Sequence, residues 1–183
     1  MVRLAVSGSF SVGKTSVVQG VLAQMKEQCP ALRAVLIGNV SRDLAGQGRV
    51  LADKESSPEH YCLYVAEYIK RLMAAKGDLI IHDRTVLDTL CYVVANDNAS
   101  PEFVEMLEQI VHLYICDIDL YLYIPIEIPV HEDGVRVVDA VYRTRIDLLL
   151  RLYFEKYAVD YQMLSGSLDK RIARAANLLR PFL

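Results

Sequence analysis

Short apolar runs alternate along the chain with longer stretches whose apolar positions recur every three or four residues. Val2 to Ser7 (VRLAVS) reads as a strand, and Gly8 to Gly13 as a glycine-bearing loop. From Lys14 to about Gln28, Val17, Val18, Val21, Leu22 and Met25 follow helical spacing, and Pro30 ends the pattern. Arg33 to Ile37 (RAVLI) predicts a second strand, closed by Gly38. Gly46 and Gly48 mark a polar loop running to about Ser57. Ser57 as cap and Pro58 at the first helical position predict a helix carrying Tyr61, Val65, Tyr68, Ile69 and Leu72 toward Gly77. A third strand from Asp78 to Ile81 runs into His82-Asp83-Arg84, and helices follow over Val86 to Asn96 and Pro101 to Ile115. Asp119 to Ile124 predicts a fourth strand, and Pro125 to Gly134 a loop. A long helix over Val137 to Tyr153, a strand over Ala158 to Leu164 and a closing helix over Ser167 to Leu179 complete the pattern. Alternating strands and helices, with strands apolar on both faces, predict an α/β domain whose parallel sheet is covered on both sides.

The length and composition narrow this picture. A chain of 183 residues is one domain in size, and no repeat, low-complexity stretch or linker divides residues 1–183. With 53% hydrophobic and 23% charged residues the chain is globular rather than disordered. A net charge of −3 argues against binding nucleic acid mainly through its phosphates, although a local basic patch is compatible with it. The four cysteines, Cys29, Cys62, Cys91 and Cys116, form no CxxC pair and no zinc spacing, and read as reduced thiols. The chain starts directly on a strand-like run with no signal segment, and its apolar runs fall short of a membrane span. The expectation is a soluble, cytoplasmic protein without membrane contact.

Gly8-Ser9-Phe10-Ser11-Val12-Gly13-Lys14-Thr15 fits G-x-x-x-x-G-K-[ST], with a strand before it and a helix after it. Glycines let the backbone turn its amide N–H groups toward a phosphate, and the helix N-terminus adds partial positive charge. Gly8, Ser11, Val12, Gly13, Lys14, Thr15 and Ser16 are therefore the candidate ATP-binding residues. Lys14 would hold the β- and γ-phosphates and the Thr15 hydroxyl would bind Mg²⁺.

The rest of the chain decides among phosphate-loop classes. No N-K-x-D is present, which argues against a GTPase, although Asp43-Leu44-Ala45-Gly46 fits D-x-x-G. The third strand ends in Asp-Arg rather than paired acids, and Leu164-Ser165-Gly166-Ser167 only partly imitates a transport-ATPase signature. Asp83-Arg84-Thr85 resembles the D-R-[ST] element of the nucleoside and nucleotide monophosphate kinase group. In that group the carboxylate orients Mg²⁺ or the acceptor, and the arginine contacts acceptor or phosphoryl oxygens. The resemblance thus implies Asp83 as catalytic and metal-binding and Arg84 as catalytic. The arginine-rich segment with Asp133-Gly134-Val135-Arg136 and Arg143 resembles the lid of these kinases, spanning about 126–145. Arg136 and Arg143 would then lie over the transferring phosphoryl group; a solvated helix face is the plain alternative. Gly166, with Ser167 and Arg171, matches the loop that wraps the adenine in related kinases, or else simply starts a helix.

Together these motifs resemble the small AAA-labelled, kinase-like family that includes the ribosylnicotinamide kinase domain of the nicotinamide-nucleotide regulator protein. The resemblance implies a three-layer α/β/α P-loop kinase fold with five parallel strands in the order 2-3-1-4-5. It implies ATP and Mg²⁺ as cofactors and a nucleoside, nucleotide or related base-bearing acceptor as the small-molecule partner. Phage relatives extend the alternatives to a kinase of hydroxymethylated pyrimidines in DNA, for which Lys170, Arg171 and Arg174 with the lid arginines could form a groove. The family's second strand often ends in an acid that serves as base, followed by an arginine. Here Asn39-Val40-Ser41-Arg42 keeps the arginine and replaces the acid with an amide. Asp43, Asp53 or Asp83 could serve instead, or positioning alone could suffice. The same departure leaves open an ATP-binding regulator that transfers nothing. Asn39, Arg42, Asp43 and Tyr64 are the candidate acceptor residues. Tyr61, Tyr64 and Tyr68 can stack on a base, although such a stripe is more often core, and His60 and His82 are more often satisfied polar residues. The helices around Val86 to Val94 and Phe103 to Ile115 offer either a homodimer face or internal packing.

Overall fold

In the computed structural model of the chain the described residues are 1–38, 40–46, 56–127 and 139–183, without the side chains of residues 42 and 45. Five strands, β1 (Val2–Ser7), β2 (Ala34–Ile37), β3 (Leu79–Asp83), β4 (Leu120–Tyr123) and β5 (Tyr161–Met163), form one parallel sheet. Its order is β2-β3-β1-β4-β5, the expected 2-3-1-4-5. Among the described residues seven α-helices accompany it: α1 (Lys14–Gln28), α2 (Val40–Gly46), α3 (Pro58–Ala74), α4 (Val86–Asn96), α5 (Pro101–Ile115), α6 (Ala140–Lys156) and α7 (Leu168–Leu179).

Strand alternation sorts the core into two layers. Leu4, Val6, Leu79, Ile81 and Leu122 face α1 and α7, meeting Val17, Val21, Met25, Ala175 and Leu179. Ala5, Ile80, Tyr121 and Tyr123 face the other way, onto residues of α3, α4, α5 and α6. Helix α4 is apolar nearly all round because Val86–Val93 is buried without interruption. Its apolar surface is therefore internal packing and not a dimer face.

Several boundaries differ from the sequence pattern; β5 is confined to Tyr161–Met163 rather than Ala158–Leu164, and two helices differ for a visible reason. Helix α2 occupies the start of what reads as a polar loop, because Val40 and Leu44, one turn apart, bury themselves against the core. Helix α6 begins at Ala140, where the Asp139 carboxylate caps it by accepting from Tyr142 N at 2.8 Å, and continues to Lys156. Of the expected lid, residues 128–138 lie outside the described residues and 140–145 are the first turns of α6.

Candidate active site

The phosphate loop sits where β1 hands over to α1, at the carboxyl end of the sheet, where parallel α/β folds bind ligands. Gly8 is required at φ +156° because a Cβ there would stand 2.6 Å from the Ile124 carbonyl oxygen. Gly13 starts α1 at φ +91°, a left-handed conformation suited to glycine. No side chain caps α1 and no acidic residue stands in its first turn, which leaves that helix end to an anion.

Three buried cations hold the loop's carbonyls. Lys14 Nζ donates to Gly8 O at 2.9 Å and also to Ser9 O. Arg143, from the first turn of α6, donates through Nε to Phe10 O at 2.9 Å and through Nη2 to Ser11 O at 3.0 Å. Ser9 Oγ returns a bond to the Arg143 carbonyl at 2.8 Å. Burial pulls the Arg143 pKa below the usual guanidinium value, against the opposing fields of Asp147 and Tyr92. Arg171, from α7, donates to Val12 O and to Glu127 Oε2, both at 2.8 Å. Glu127 Oε2 also accepts from Gly166 N at 2.8 Å, and these bonds hold its carboxyl below the usual range.

The parallel register places Asp83 opposite Val6, beside the start of α1. There Thr15 Oγ1 donates to Asp83 Oδ2 at 2.6 Å, while Asp83 Oδ1 is buried with no partner. A hydroxyl and a carboxylate with an unused oxygen are hard donors that suit Mg²⁺. Arg84 turns the chain out of β3 at φ +81°, its amide donating to Val6 O at 3.1 Å. Its Nη1 donates to Tyr92 Oη at 2.9 Å, and its guanidinium carbon lies 5.2 Å from the centre of that ring. Burial opposes the Arg84 charge, but Tyr92, Asp88 and Tyr64 more than restore it, so its pKa lies above the ordinary value.

Next to this cluster a narrow crevice of about 20 Å³ is lined by Ser41, Tyr61, Tyr64, Arg84, Asp88, Thr89 and Tyr92. Burial raises the Tyr64 pKa above the usual phenol value, so the hydroxyl stays protonated. A larger hollow between β4, β5 and Phe182 lies at the opposite, amino-terminal end of the strands, away from the phosphate loop.

Residues 3–171 match a family model described as an AAA domain. The chain belongs to this AAA-domain family. No curated protein sequence matches it. Among solved structures, NadR in complex with NR aligns at TM-score 0.72 with 18% identity over 99% of this chain and 50% of that one. NadR with NAD and AMP-PNP aligns at 0.72 with 17% identity, over 99% and 49%. The chain thus spans about half the length of the NadR chains it matches. Deoxyadenosine kinase from M. mycoides with bound dCTP aligns at 0.64 with 12% identity, over 98% and 99%. At these identities the likeness is one of fold, and the fold is that of P-loop kinases.

Within this AAA domain Lys14, Thr15, Asp83, Arg84, Arg143 and Tyr64 come together around the phosphate loop and the crevice. Ser16 is exposed on the first turn of α1, and Gly166, at φ +90°, leads into the Ser167 cap of α7. Asn39, Asp53 and Arg136 lie outside the described residues, as does the side chain of Arg42. Asp43 is half-exposed and paired with Arg71 Nη1 of α3 at 2.9 Å, and it does not line the crevice. Arg145 turns outward to Asp97 Oδ1 at 2.6 Å. His60 serves as the N3 partner in the Ser57 capping box, and His82 is buried with its Nδ1 2.8 Å from Tyr68 Oη. Neither lies among the crevice-lining residues. Burial lowers the His82 pKa to about 4, so its ring is neutral at pH 7. Tyr61 and Tyr64 reach the crevice and Tyr68 belongs to the core. All four cysteines are free thiols. Among the described residues no group of acids, histidines and cysteines could hold a metal by itself, and no helix is long and apolar enough to cross a membrane. Asp88 and Ser41 escaped the sequence reading. The only trace of Asp88 was the pattern Thr85-x-x-Asp88, which reads as a helix cap.

Proposed function

We propose that this chain is an ATP- and Mg²⁺-dependent kinase that moves the γ-phosphoryl group to a nucleoside, nucleotide or related base-bearing acceptor. One observation carries the reading: the phosphate loop with its Thr15–Asp83 pair opens at the same sheet edge as a crevice walled by three tyrosines and an arginine. Phosphoryl transfer asks a protein chiefly for positioning and charge compensation, and this arrangement offers both. The anionic tail of ATP meets the uncapped start of α1. Lys14 exchanges the Gly8 and Ser9 carbonyls for β- and γ-phosphate oxygens. Thr15 and Asp83 would hold Mg²⁺, which, when bound, offsets phosphate charge. Arg84 faces acceptor and phosphoryl oxygens, and Arg136 would supply positive charge over the transferring group. Arg143, expected there from the sequence, is buried with its fork on the Phe10 and Ser11 carbonyls and braces the loop instead. Gly166 borders the adenine. Tyr61, Tyr64 and Tyr92 offer faces to a base. The NadR complex with NR and the deoxyadenosine kinase complex with dCTP support a small base-bearing acceptor. A cytoplasmic location fits such a substrate. Of the α7 cations that the DNA-base alternative would use, Arg171 is buried on the phosphate loop, while Lys170 and Arg174 are exposed.

The test is a mass-spectrometric screen of the protein with ATP and Mg²⁺ against nucleosides, nucleoside monophosphates, nicotinamide riboside, and DNA with plain or hydroxymethylated pyrimidines. The expected result is one added phosphoryl group on a free nucleoside or nucleotide. Addition only to DNA would replace the acceptor class, and ATP binding with no addition anywhere would leave a nucleotide-binding regulator.

A further inference from the structure

Asp88 carries a carboxylate that the fold uses on one side only. It is 1% exposed. Its Oδ2 accepts from Ser7 Oγ at 2.8 Å, from Thr85 N at 2.8 Å and from Thr85 Oγ1 at 3.3 Å. Its Oδ1 is buried and accepts from nothing. A carboxylate has about four acceptor positions, and a buried one left half-satisfied is costly. Capping α4 needs only the Oδ2 bonds, so helix capping does not account for the second oxygen. Asp88 lines the tyrosine-walled crevice together with Arg84 and Tyr64. It also grips Ser7, the residue directly before Gly8, whose carbonyl Lys14 holds. The unused oxygen is therefore tied to the same strand end as the phosphate loop.

Asp83 also has a buried Oδ1 without a partner, but its Oδ2 is engaged with Thr15 at the expected Mg²⁺ position and Asp83 is not among the crevice-lining residues. Asp43 is paired with Arg71 and does not line the crevice either.

We infer that Asp88 Oδ1 receives the acceptor's attacking hydroxyl and takes its proton. The inference rests on the kinase reading and deepens it: the acceptor offers a hydroxyl at the crevice floor, with its base held among the tyrosines above. In the step, a lone pair of the hydroxyl oxygen attacks the γ-phosphorus. The new O–P bond forms as the bond from the γ-phosphorus to the β,γ-bridging oxygen breaks. ADP leaves with that electron pair, and the hydroxyl proton passes to Asp88 Oδ1. Asp88 then does the work of the acid that the second strand lacks at Asn39.

The experiment is steady-state kinetics of Asp88→Asn on the acceptor found by the screen, with ATP affinity and thermal unfolding measured in parallel. Asparagine keeps an oxygen for Thr85 N and Ser7 Oγ but cannot take the proton. Expected are a fall in kcat of about 10²–10⁴-fold with KM for ATP unchanged. Turnover within about threefold of wild type in a folded, ATP-binding variant overturns the assignment. Should the variant fail to fold, the wild-type protein decides. The Asp88 carboxyl carbon resonance must move when the acceptor is added without ATP, and a resonance that stays still overturns the inference. A wild-type protein that phosphorylates no acceptor removes the kinase reading and this one with it. An active wild type with an equally active Asp88→Asn variant removes only the role of Asp88.

Discussion

Arg171→Met isolates the cation that ties the far end of the phosphate loop to the rest of the site. Methionine keeps an apolar stem of similar length and removes the fork. Arg171 is 2% exposed, and its two bonds, to Val12 O and Glu127 Oε2, are both 2.8 Å. Breaking a fully buried ion pair costs about 3–5 kcal/mol. Here Glu127 keeps 35% of its side chain in solvent, so water replaces its lost partner, whereas the Val12 carbonyl loses a buried donor. The cost therefore falls below that range, to about 2–3 kcal/mol, mostly the charge-assisted bond to the carbonyl. For a chain of this size each kcal/mol lowers the melting temperature by about 2–4 °C, so the variant should melt about 4–12 °C below wild type. ATP at a hundredfold excess over its Kd stabilises the folded state by about 2.7 kcal/mol, an upward shift of about 5–11 °C for wild type. With Val12 released, that ATP-dependent shift should shrink as well. Calorimetry with and without ATP–Mg²⁺ reads both quantities. A variant that melts within about 2 °C of wild type and keeps the full ATP shift would show that Arg171 does not brace the loop.

The other perturbations reach the remaining parts of the site. Lys14→Ala should lower kcat by at least about 10²–10³-fold, because the transferring phosphoryl loses its cation; near-normal turnover would remove Lys14 from the mechanism. Thr15→Val keeps the side-chain shape but loses the hydroxyl, and should raise the Mg²⁺ concentration for half-maximal turnover about tenfold, the equivalent of about 1.4 kcal/mol; an unchanged Mg²⁺ titration would disconnect Thr15 from the metal. His82 makes stability fall toward acid pH. The unfolded chain takes up the proton near pH 6.5, whereas the buried ring resists it down to about 4. Stability is thus full above about pH 6.5, declines as pH falls, and by pH 4 has lost on the order of 3 kcal/mol from this group. Urea unfolding from pH 7 to pH 4 should show that slope and its disappearance in His82→Leu; identical slopes would place its origin elsewhere.

What the sequence makes legible is what neighbouring residues decide among themselves. Strand, glycine loop and helix over Val2–Gln28 are contiguous, and so were readable. The pairing of Thr15 with Asp83 followed once both motifs were set at strand ends. The strand order came from family resemblance, since periodicity carries no information about which strands pair. Helix α2 was hidden because a seven-residue helix with two apolar positions, Val40 and Leu44, gains its stability from tertiary burial. Asp88 was hidden by its first job, since a carboxylate three residues after a threonine cap reads as capping and nothing in the pattern reveals an unused second oxygen. Arg171 was placed beside the nucleotide, but its partner Val12 is 159 positions away, beyond any local pattern.

The five consecutive carbonyls from Gly8 to Val12 are all held by buried cations: two by Lys14, two by Arg143 and one by Arg171. A turn whose carbonyls are held from outside has its amides available for the inside, which is what a phosphate needs. The residue types divide the labour. An arginine fork spans two successive carbonyls at once, as Arg143 does on Phe10 and Ser11, and is pre-organised to remain there. A lysine ammonium is a point charge on a long stem, so Lys14 can give up Gly8 and Ser9 for phosphate oxygens without disturbing the other three carbonyls. Arg143 belongs to α6 and Arg171 is bonded to Glu127, so described residues on either side of 128–138 are tied to the phosphate loop.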